Sequence, residues 1–140
     1  MRLPAFVFTV LLAFIIPARA AQAPDQILID GLQACVTNGL EATLRTWYAD
    51  RLPLATEMKD RLAPATRGLG EIIDTEVVAI QAVSKRVTRY YVAIYFSRCP
   101  LWLRVERYSN GEKAFYLPLR FSTNADEILP GYITEFFPQP

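Results

Sequence analysis

The segment Val87–Phe121 constrains the fold of this chain more than any other part of the sequence. Apolar residues alternate there with polar and aromatic ones, which is the period-two pattern of β-strands that have one buried face. Turn residues divide the segment at 97–100 and at 109–111. The pattern predicts three consecutive antiparallel strands, preceded by another strand at Glu76–Val83. Pro118 has no N–H, so it predicts an unpaired side or a bulge in the last strand.

The length of the second turn can be predicted, because the apolar residues of the two strands that it joins must lie on the same side of the sheet. A two-residue loop at Asn110-Gly111 would pair Val105 with Tyr116 and would turn the apolar residues of the last strand away from the core. A three-residue loop, Ser109-Asn110-Gly111, pairs Val105 with Phe115 and brings the apolar faces together. We therefore predict the three-residue turn, which places Tyr116 on the outer face of the sheet.

The outer face of the predicted sheet is rich in Tyr, Trp and Arg, the residue types that are enriched at protein interfaces. The candidate contact residues are Tyr91, Trp102, Arg104 and Tyr116. An alternative is a solvated face whose aromatic side chains pair across strands. We expect a partner surface, most simply that of a homodimer, because so many large rings on a wet face would be unusual.

The part of the chain between residue 24 and the predicted strands is expected to be helical. Residues 25–48 carry apolar side chains at three- and four-residue steps, and Asp25 can cap the first turn. Pro53 is expected to end this element, and Leu54–Leu62 predicts a shorter helix that Pro64 stops. Helices that pack on an antiparallel sheet give a two-layer α+β domain.

Residues 1–20 have the layout of a secretory signal peptide. A positive start, Met1-Arg2, precedes the apolar run Ala5–Ile16, and Ala18-Arg19-Ala20 offers a small-x-small cleavage site. The apolar run is too short to span a bilayer comfortably, although an uncleaved anchor is the alternative. We expect a periplasmic or extracellular protein whose mature part, residues 21–140, is a single domain without a membrane span.

Charge and composition exclude several classes of function. Loss of residues 1–20 would remove Arg2 and Arg19, leaving 13 basic against 14 acidic residues and moving the net charge from +1 to −1. Such a chain gives no electrostatic reason to expect nucleic-acid binding. The chain contains no His, which excludes Ser-His-Asp and Cys-His catalytic systems and His-containing zinc sites. We also find no glycine-rich phosphate loop, and we expect neither a cofactor nor a metal.

Cys35 and Cys99 are the only two cysteines in the chain. In an oxidising compartment they could form one disulfide, which would close a loop of about 65 residues and contribute on the order of 4 kcal/mol. The alternative is a buried free thiol at Cys35 and an incidental Cys99 in a turn. The sequence leaves both possibilities open.

Patterns spread over most of the mature chain resemble the NTF2-like (cystatin-like α+β) superfamily. They are Leu40, Leu44 and Trp47 in the N-terminal helix, Gly70-Glu71-Ile72, the strand Tyr90–Tyr95, the turn Cys99–Trp102, Phe121–Asn124 and Ile128–Pro130. The resemblance implies a cone-shaped domain with a pocket between helix and sheet, which often dimerises through the sheet. The superfamily includes enzymes as well as non-catalytic modules.

The resemblance directs attention to the inside of the cone, where we assign Trp47, Tyr48 and Tyr90 to the mouth of the pocket. Isomerases and dehydratases of the superfamily place an Asp, a His or a Tyr there. Tyr90 is the only such core-facing group in the central strands, and a base without a nearby acid or oxyanion donor does little. We therefore expect a non-catalytic domain that binds a small apolar ligand or a protein partner.

Two other functions remain open from the sequence. One is an isomerase or lyase that uses Tyr90 together with a carboxylate from Glu71, Asp74 or Glu76. The other is a purely structural protein of the cell envelope. A carboxylate within about 3 Å of Tyr90 inside a cavity would favour the enzyme. A cone completely filled by side chains would exclude an internal ligand.

Overall fold

The computed structural model describes residues 23–134, in which helices precede a curved antiparallel sheet of five strands. The predicted signal peptide at residues 1–20 lies outside the described residues. The helices are α1 (Gln26–Asn38), α2 (Leu40–Trp47) and α3 (Leu52–Thr66). The strands are β1 (Ile72–Ala82), β2 (Val87–Phe96), β3 (Pro100–Ser109), β4 (Ala114–Tyr116) and β5 (Arg120–Ser122). A 3₁₀ turn (Ala125–Glu127) and α4 (Gly131–Thr134) follow. The predicted α+β architecture is confirmed.

The sheet follows the order of the chain, β1-β2-β3-β4, and β5 also pairs with β3. β3 therefore has two short partners on the same side: β4 pairs with residues 107–109 and β5 pairs with residues 102–104. β1 starts at Ile72 rather than at the predicted Glu76. β2 and β3 pair Tyr90 with Val105 and Ile94 with Leu101, so the predicted inner face of these two strands is correct.

The single helix predicted for residues 25–48 is wrong, because the helix breaks at Gly39. Gly39 has a φ of +88°, a conformation that glycine adopts without a steric penalty, and it separates α1 from α2. The predicted cap at Asp25 is confirmed: its side chain accepts a hydrogen bond from the N–H of Ile27 at 3.3 Å.

Both proline predictions in the helical region need correction. Pro53 lies in the first turn of α3, where a missing N–H leaves no helical hydrogen bond unmade. Pro64 lies inside α3, which continues to Thr66. The hydroxyl of Thr66 donates to the carbonyl of Leu62 at 3.1 Å, which gives the last turn an additional hydrogen bond. Pro64 is therefore tolerated near the end of the helix, where only its own N–H bond is lost.

The predicted three-residue turn between β3 and β4 is wrong. Ser109 pairs with Ala114, and four residues, 110–113, form the loop. Its conformation comes from Asn110, whose side-chain oxygen accepts the N–H groups of Glu112 at 2.9 Å and Lys113 at 2.8 Å. The register between β3 and β4 therefore differs from the predicted one by an odd number of residues. As a result, the side chains of β4 that were predicted on the inner face of the sheet lie on the outer face, and the reverse.

Tyr116 consequently lies on the core side and not on the predicted outer face. It pairs with Arg107 and only 2% of it is exposed, whereas Phe115 lies opposite Tyr108. The predicted three-residue turn requires β4 and β5 to be one continuous strand, which they are not. At Pro118, where an unpaired side or a bulge was predicted, the strand is instead broken in two, because β4 ends at Tyr116 and β5 begins at Arg120. The segment between β4 and β5 contains one residue more than regular pairing with β3 would need. This extra residue restores the predicted face, so the side chain of Leu119 still reaches the core.

Side chains from the helices and from the inner face of the sheet form one contiguous core. Its largest fully buried members are Tyr48, Leu28, Leu44, Met58, Leu62, Ile94, Leu101, Leu103 and Leu119. A second, smaller cluster covers part of the outer face and consists of Tyr91, Ile128 and Leu129. Among residues 23–134 no helix is both long enough and apolar enough to cross a bilayer.

Candidate functional site

One carboxylate joins the start of α1 to the end of the sheet. Asp25 Oδ2 accepts a hydrogen bond from the hydroxyl of Tyr116 at 2.9 Å and lies 2.9 Å from Nε of Arg107. Its other oxygen, Oδ1, accepts the N–H of Ile27 as the helix cap. The carboxylate is partly buried, so these charge-assisted hydrogen bonds are stronger than they would be on an open surface. Asp25 thereby fixes the position of the helix relative to β3 and β4.

A cleft of about 350 Å³ opens beside this carboxylate, between the start of α1, the connection from α2 to α3, and the β3–β4 hairpin. We call it the Asp25 cleft. Its aromatic and aliphatic wall is formed by Ile27, Trp47, Phe115 and Tyr116, and its charged groups are Asp25, Asp50, Arg107 and Lys113; Thr46, Ala49 and Ala114 complete it. The cleft thus combines ring surfaces with groups of both charges.

The rings in the wall are held in place by contacts behind the cleft. The indole Nε1 of Trp47 donates to the carbonyl of Leu28 at 3.2 Å, and the centroid of its ring system lies 6.2 Å from that of Tyr116. The guanidinium of Arg51 lies 4.8 Å from the centroid of Phe115, in a cation–π arrangement, and donates to the carbonyl of Tyr116. The wall is therefore preformed rather than loose.

Only one of the three predicted pocket residues lines this cleft. Trp47 does, although most of the ring is buried, whereas Tyr48 and Tyr90 are core side chains. The hydroxyl of Tyr48 donates to the carbonyl of Leu117 at 2.8 Å, which satisfies a polar group that would otherwise be buried without a partner. Tyr48 and Tyr90, which were predicted at the mouth of a pocket, thus fill space in the core.

The three carboxylates proposed to assist Tyr90 do not pair with it. Glu76 accepts a hydrogen bond from Tyr95 at 2.6 Å, and Asp74 accepts the N–H of Thr75. The carboxylate that acts on Tyr90 is Asp25: burial, and then the negative charge of Asp25, raise the pKa of this phenol. The sequence showed Asp25 as a helix cap, but nothing in it indicated the approach of Tyr116 from 91 residues further along the chain.

Two of the residues predicted for a partner surface are buried under the protein's own chain. Tyr116 lies in the core, and Tyr91, which is on the outer face as predicted, is covered by Ile128 and Leu129. Trp102 packs at the margin of the same cluster, and Arg104 is partly exposed. The polar groups of the outer face largely pair with one another, as in the hydrogen bond from Tyr91 to Gln81 and the ion pair of Arg89 with Glu106.

Comparison of the chain with protein-family profiles, with curated proteins and with solved structures gave no match. The resemblance to the NTF2-like superfamily therefore stays a prediction.

Cys35 and Cys99 do not form the possible disulfide in the structure, where both are free thiols. Cys35 is buried in α1, and burial raises the pKa of its thiol, which makes the reactive thiolate scarcer. Within residues 23–134 no group of three or more Cys, Asp or Glu side chains is arranged to hold a metal ion.

The tyrosines predict a loss of stability at alkaline pH. Burial raises the pKa of Tyr48 to about 12, and burial with the hydrogen bond to Asp25 raises the pKa of Tyr116 further still. An unfolded tyrosine titrates near pH ~10, so between about pH 10 and pH 12 the unfolded state releases protons that the folded state keeps. The contribution of these tyrosines to the free energy of unfolding is fully present below about pH 9. Above pH ~10 the free energy of unfolding falls by roughly 1 kcal/mol per pH unit for each tyrosine.

Urea unfolding at a series of pH values checks this expectation. Tyr48→Phe should make the alkaline decline shallower, because one shifted phenol has been removed. The matched control is Tyr132→Phe, since Tyr132 is 53% exposed and should leave the slope unchanged. Parallel slopes for the wild type and Tyr48→Phe would contradict the assignment.

Proposed function

We propose that this chain is an exported, non-catalytic binding domain of the NTF2-like type, whose ligand is a small molecule with an apolar body bound in the Asp25 cleft. The observation that carries the proposal is that the side chains of Trp47, Phe115 and Ile27 line one preformed cleft. Aromatic and aliphatic walls with a few fixed polar groups are typical of small-molecule sites. The order of the elements supports the NTF2-like part, and the pattern of residues 1–20 supports export.

The charged groups of the cleft are suited to orienting a ligand. Arg107 and Lys113 offer hydrogen-bond donors, and Asp50 offers an acceptor. A volume of about 350 Å³ lies near the lower end of the range for small-molecule sites, roughly 300–1,000 Å³. The ligand we propose is therefore compact, with an apolar ring or chain against the aromatic wall and one polar group near the basic side chains.

Catalysis by Asp25 is disfavoured because this carboxylate is already engaged. Asp25 accepts hydrogen bonds from Tyr116 and from the backbone of Ile27, and it pairs with Arg107. A general base needs a free oxygen within hydrogen-bond reach of the proton that it removes. The pKa values of Tyr90 and Tyr116 are both raised, so these phenols remain protonated at neutral pH and cannot act as bases.

The homodimer predicted through the outer face receives less support than the ligand. Burial of Tyr91 and Tyr116 removes two of the four residues that would have formed such an interface. Trp102 and Arg104 are left on a face where Arg89 and Glu106 already form an ion pair within the chain. Cross-strand pairing explains this face without a partner.

Binding of a fluorescent probe to the Asp25 cleft can test the proposal. The probe is anilinonaphthalene sulfonate, which carries an apolar ring system and one anionic group. We expect one molecule to bind per chain, with enhanced fluorescence, and to quench Trp47 in a Trp102→Phe background. Ile27→Asp should weaken binding about tenfold, because it replaces an apolar wall residue by a charge.

The control uses the same substitution on the same helix outside the cleft. Val36 is 45% exposed and Ile27 is 47% exposed, so Val36→Asp matches the change in charge and surface. Equal probe affinity in Ile27→Asp, Val36→Asp and the wild type would refute the Asp25 cleft as the binding site. Absence of any saturable binding would favour the structural envelope alternative instead.

A further inference from the structure

A second cleft, of about 330 Å³, lies at the break between β4 and β5 and shares no residue with the Asp25 cleft. It is lined by Arg61, Arg104, Glu106, Pro118, Leu119 and Arg120, and we call it the arginine cleft. Three elements contribute its cations: α3 provides Arg61, β3 provides Arg104 and β5 provides Arg120. The interruption at Pro118 therefore coincides with a concentration of positive charge.

The one carboxylate of the arginine cleft is already neutralised by an arginine that does not line it. Oε1 of Glu106 accepts from Nε of Arg89 at 2.8 Å and lies 2.7 Å from Nη2 of the same guanidinium. Nε of Arg104 is 3.8 Å from this oxygen, beyond hydrogen-bond distance. This Nε is buried and has no hydrogen-bond partner among the described residues, so the pairing of Arg104 is incomplete.

The other two guanidinium groups have no carboxylate partner among residues 23–134. Arg61 lies 5.8 Å from the centroid of the Phe121 ring and contacts the sulfur of Met58, so its partners are polarisable but uncharged. Arg120 is exposed and forms no ion pair within residues 23–134. The lining thus carries three positive charges against one negative charge that Arg89 already compensates, although the whole chain has 15 basic and 14 acidic residues.

We propose that the arginine cleft binds a doubly charged oxyanion of a small molecule, a phosphate group or a dicarboxylate. Guanidinium groups present paired N–H donors that match the oxygens of phosphate and carboxylate, and a dianion would relieve the repulsion between three close cations. Pro118 and Leu119 add apolar surface for the rest of such a molecule. The inference does not depend on the ligand proposed for the Asp25 cleft.

Titration calorimetry with inorganic phosphate and, separately, with succinate tests the proposal, with ionic strength held constant by sodium chloride. We expect saturable binding of at least one of the two at one site per chain, and the stronger of them identifies the source of the oxyanion. Arg61→Gln/Arg120→Gln changes two exposed residues and should weaken binding by about tenfold or more, because two of the three donors to a dianion are lost.

The control removes the same number of charges elsewhere on the surface. Arg67 and Lys85 are exposed and lie outside the arginine cleft, so Arg67→Gln/Lys85→Gln should bind as the wild type does. Ile27→Asp should also bind normally, which separates this inference from the proposed function. Equal affinity in both double variants, or no heat above that of sodium chloride, would overturn the proposal.

Discussion

Replacement of Asp25 by alanine should lower the free energy of unfolding by about 2–4 kcal/mol. The loss of the helix cap accounts for ~1 kcal/mol of this, and the buried hydroxyl of Tyr116, left without its acceptor, accounts for a further ~1–3 kcal/mol. Arg107 would also lose its ionic partner at 2.9 Å. Urea denaturation followed by circular dichroism measures the change directly.

Two further variants separate the contributions of this carboxylate. Asp25→Asn keeps an oxygen that can cap α1 but removes the charge that Arg107 faces, so its effect should be smaller than that of Asp25→Ala. Asp30→Ala, on the exposed surface of the same helix, controls for loss of an acidic side chain and should change stability by less than about 0.5 kcal/mol. If Asp25→Ala were as stable as Asp30→Ala, the joining role of Asp25 would be refuted.

Gly31→Ala should destabilise the protein by roughly 1–3 kcal/mol, although alanine is the better helix former by ~1 kcal/mol. A methyl group on Gly31 would lie 2.2 Å from Nε1 of Trp47 and 2.6 Å from Cδ1. The indole cannot move without losing its hydrogen bond to Leu28 at 3.2 Å. Thermal and urea unfolding of the variant should both show the loss.

A double-mutant cycle identifies the cause of this effect. Trp47→Phe removes the nitrogen that the new methyl group would meet, so Gly31→Ala should be less costly in that background, with a coupling of about 1 kcal/mol or more. Gln33→Ala, at an exposed position of the same helix, reports the effect of an alanine without a steric conflict. A cost for Gly31→Ala that is independent of the residue at 47 would contradict the packing that the structure shows.

The sequence predicted those features that depend on neighbouring residues. Alternation in Val87–Phe96 and Pro100–Ser109 gave the correct inner face, because the face of a strand is determined by its own period of two. The cap at Asp25 and an irregularity of the last strand at Pro118 were likewise predictable, since each follows from the chemistry of one side chain. These local rules were sufficient for the α+β architecture.

Features that depend on distant or compensating contacts could not be predicted in the same way. The turn at residues 110–113 is determined by a side-chain amide, and its register reversed the face assigned to Tyr116. The approach of Tyr116 to Asp25 joins residues 91 positions apart, which no periodicity encodes. Trp47 was predicted at the mouth of a pocket and lines the Asp25 cleft, but the loops that complete this cleft carry no distinctive pattern.

The interruption at Pro118 also affects how the sheet meets other molecules in solution. It divides one border of the sheet into two strands of three residues each, β4 and β5, which are too short to serve as a template for a strand from another chain. The opposite border, β1, is 11 residues long, but register shifts near Asp74 and Ala79 make it irregular. Both borders are therefore protected against edge-to-edge aggregation: β4 and β5 because they are short, and β1 because its register is irregular.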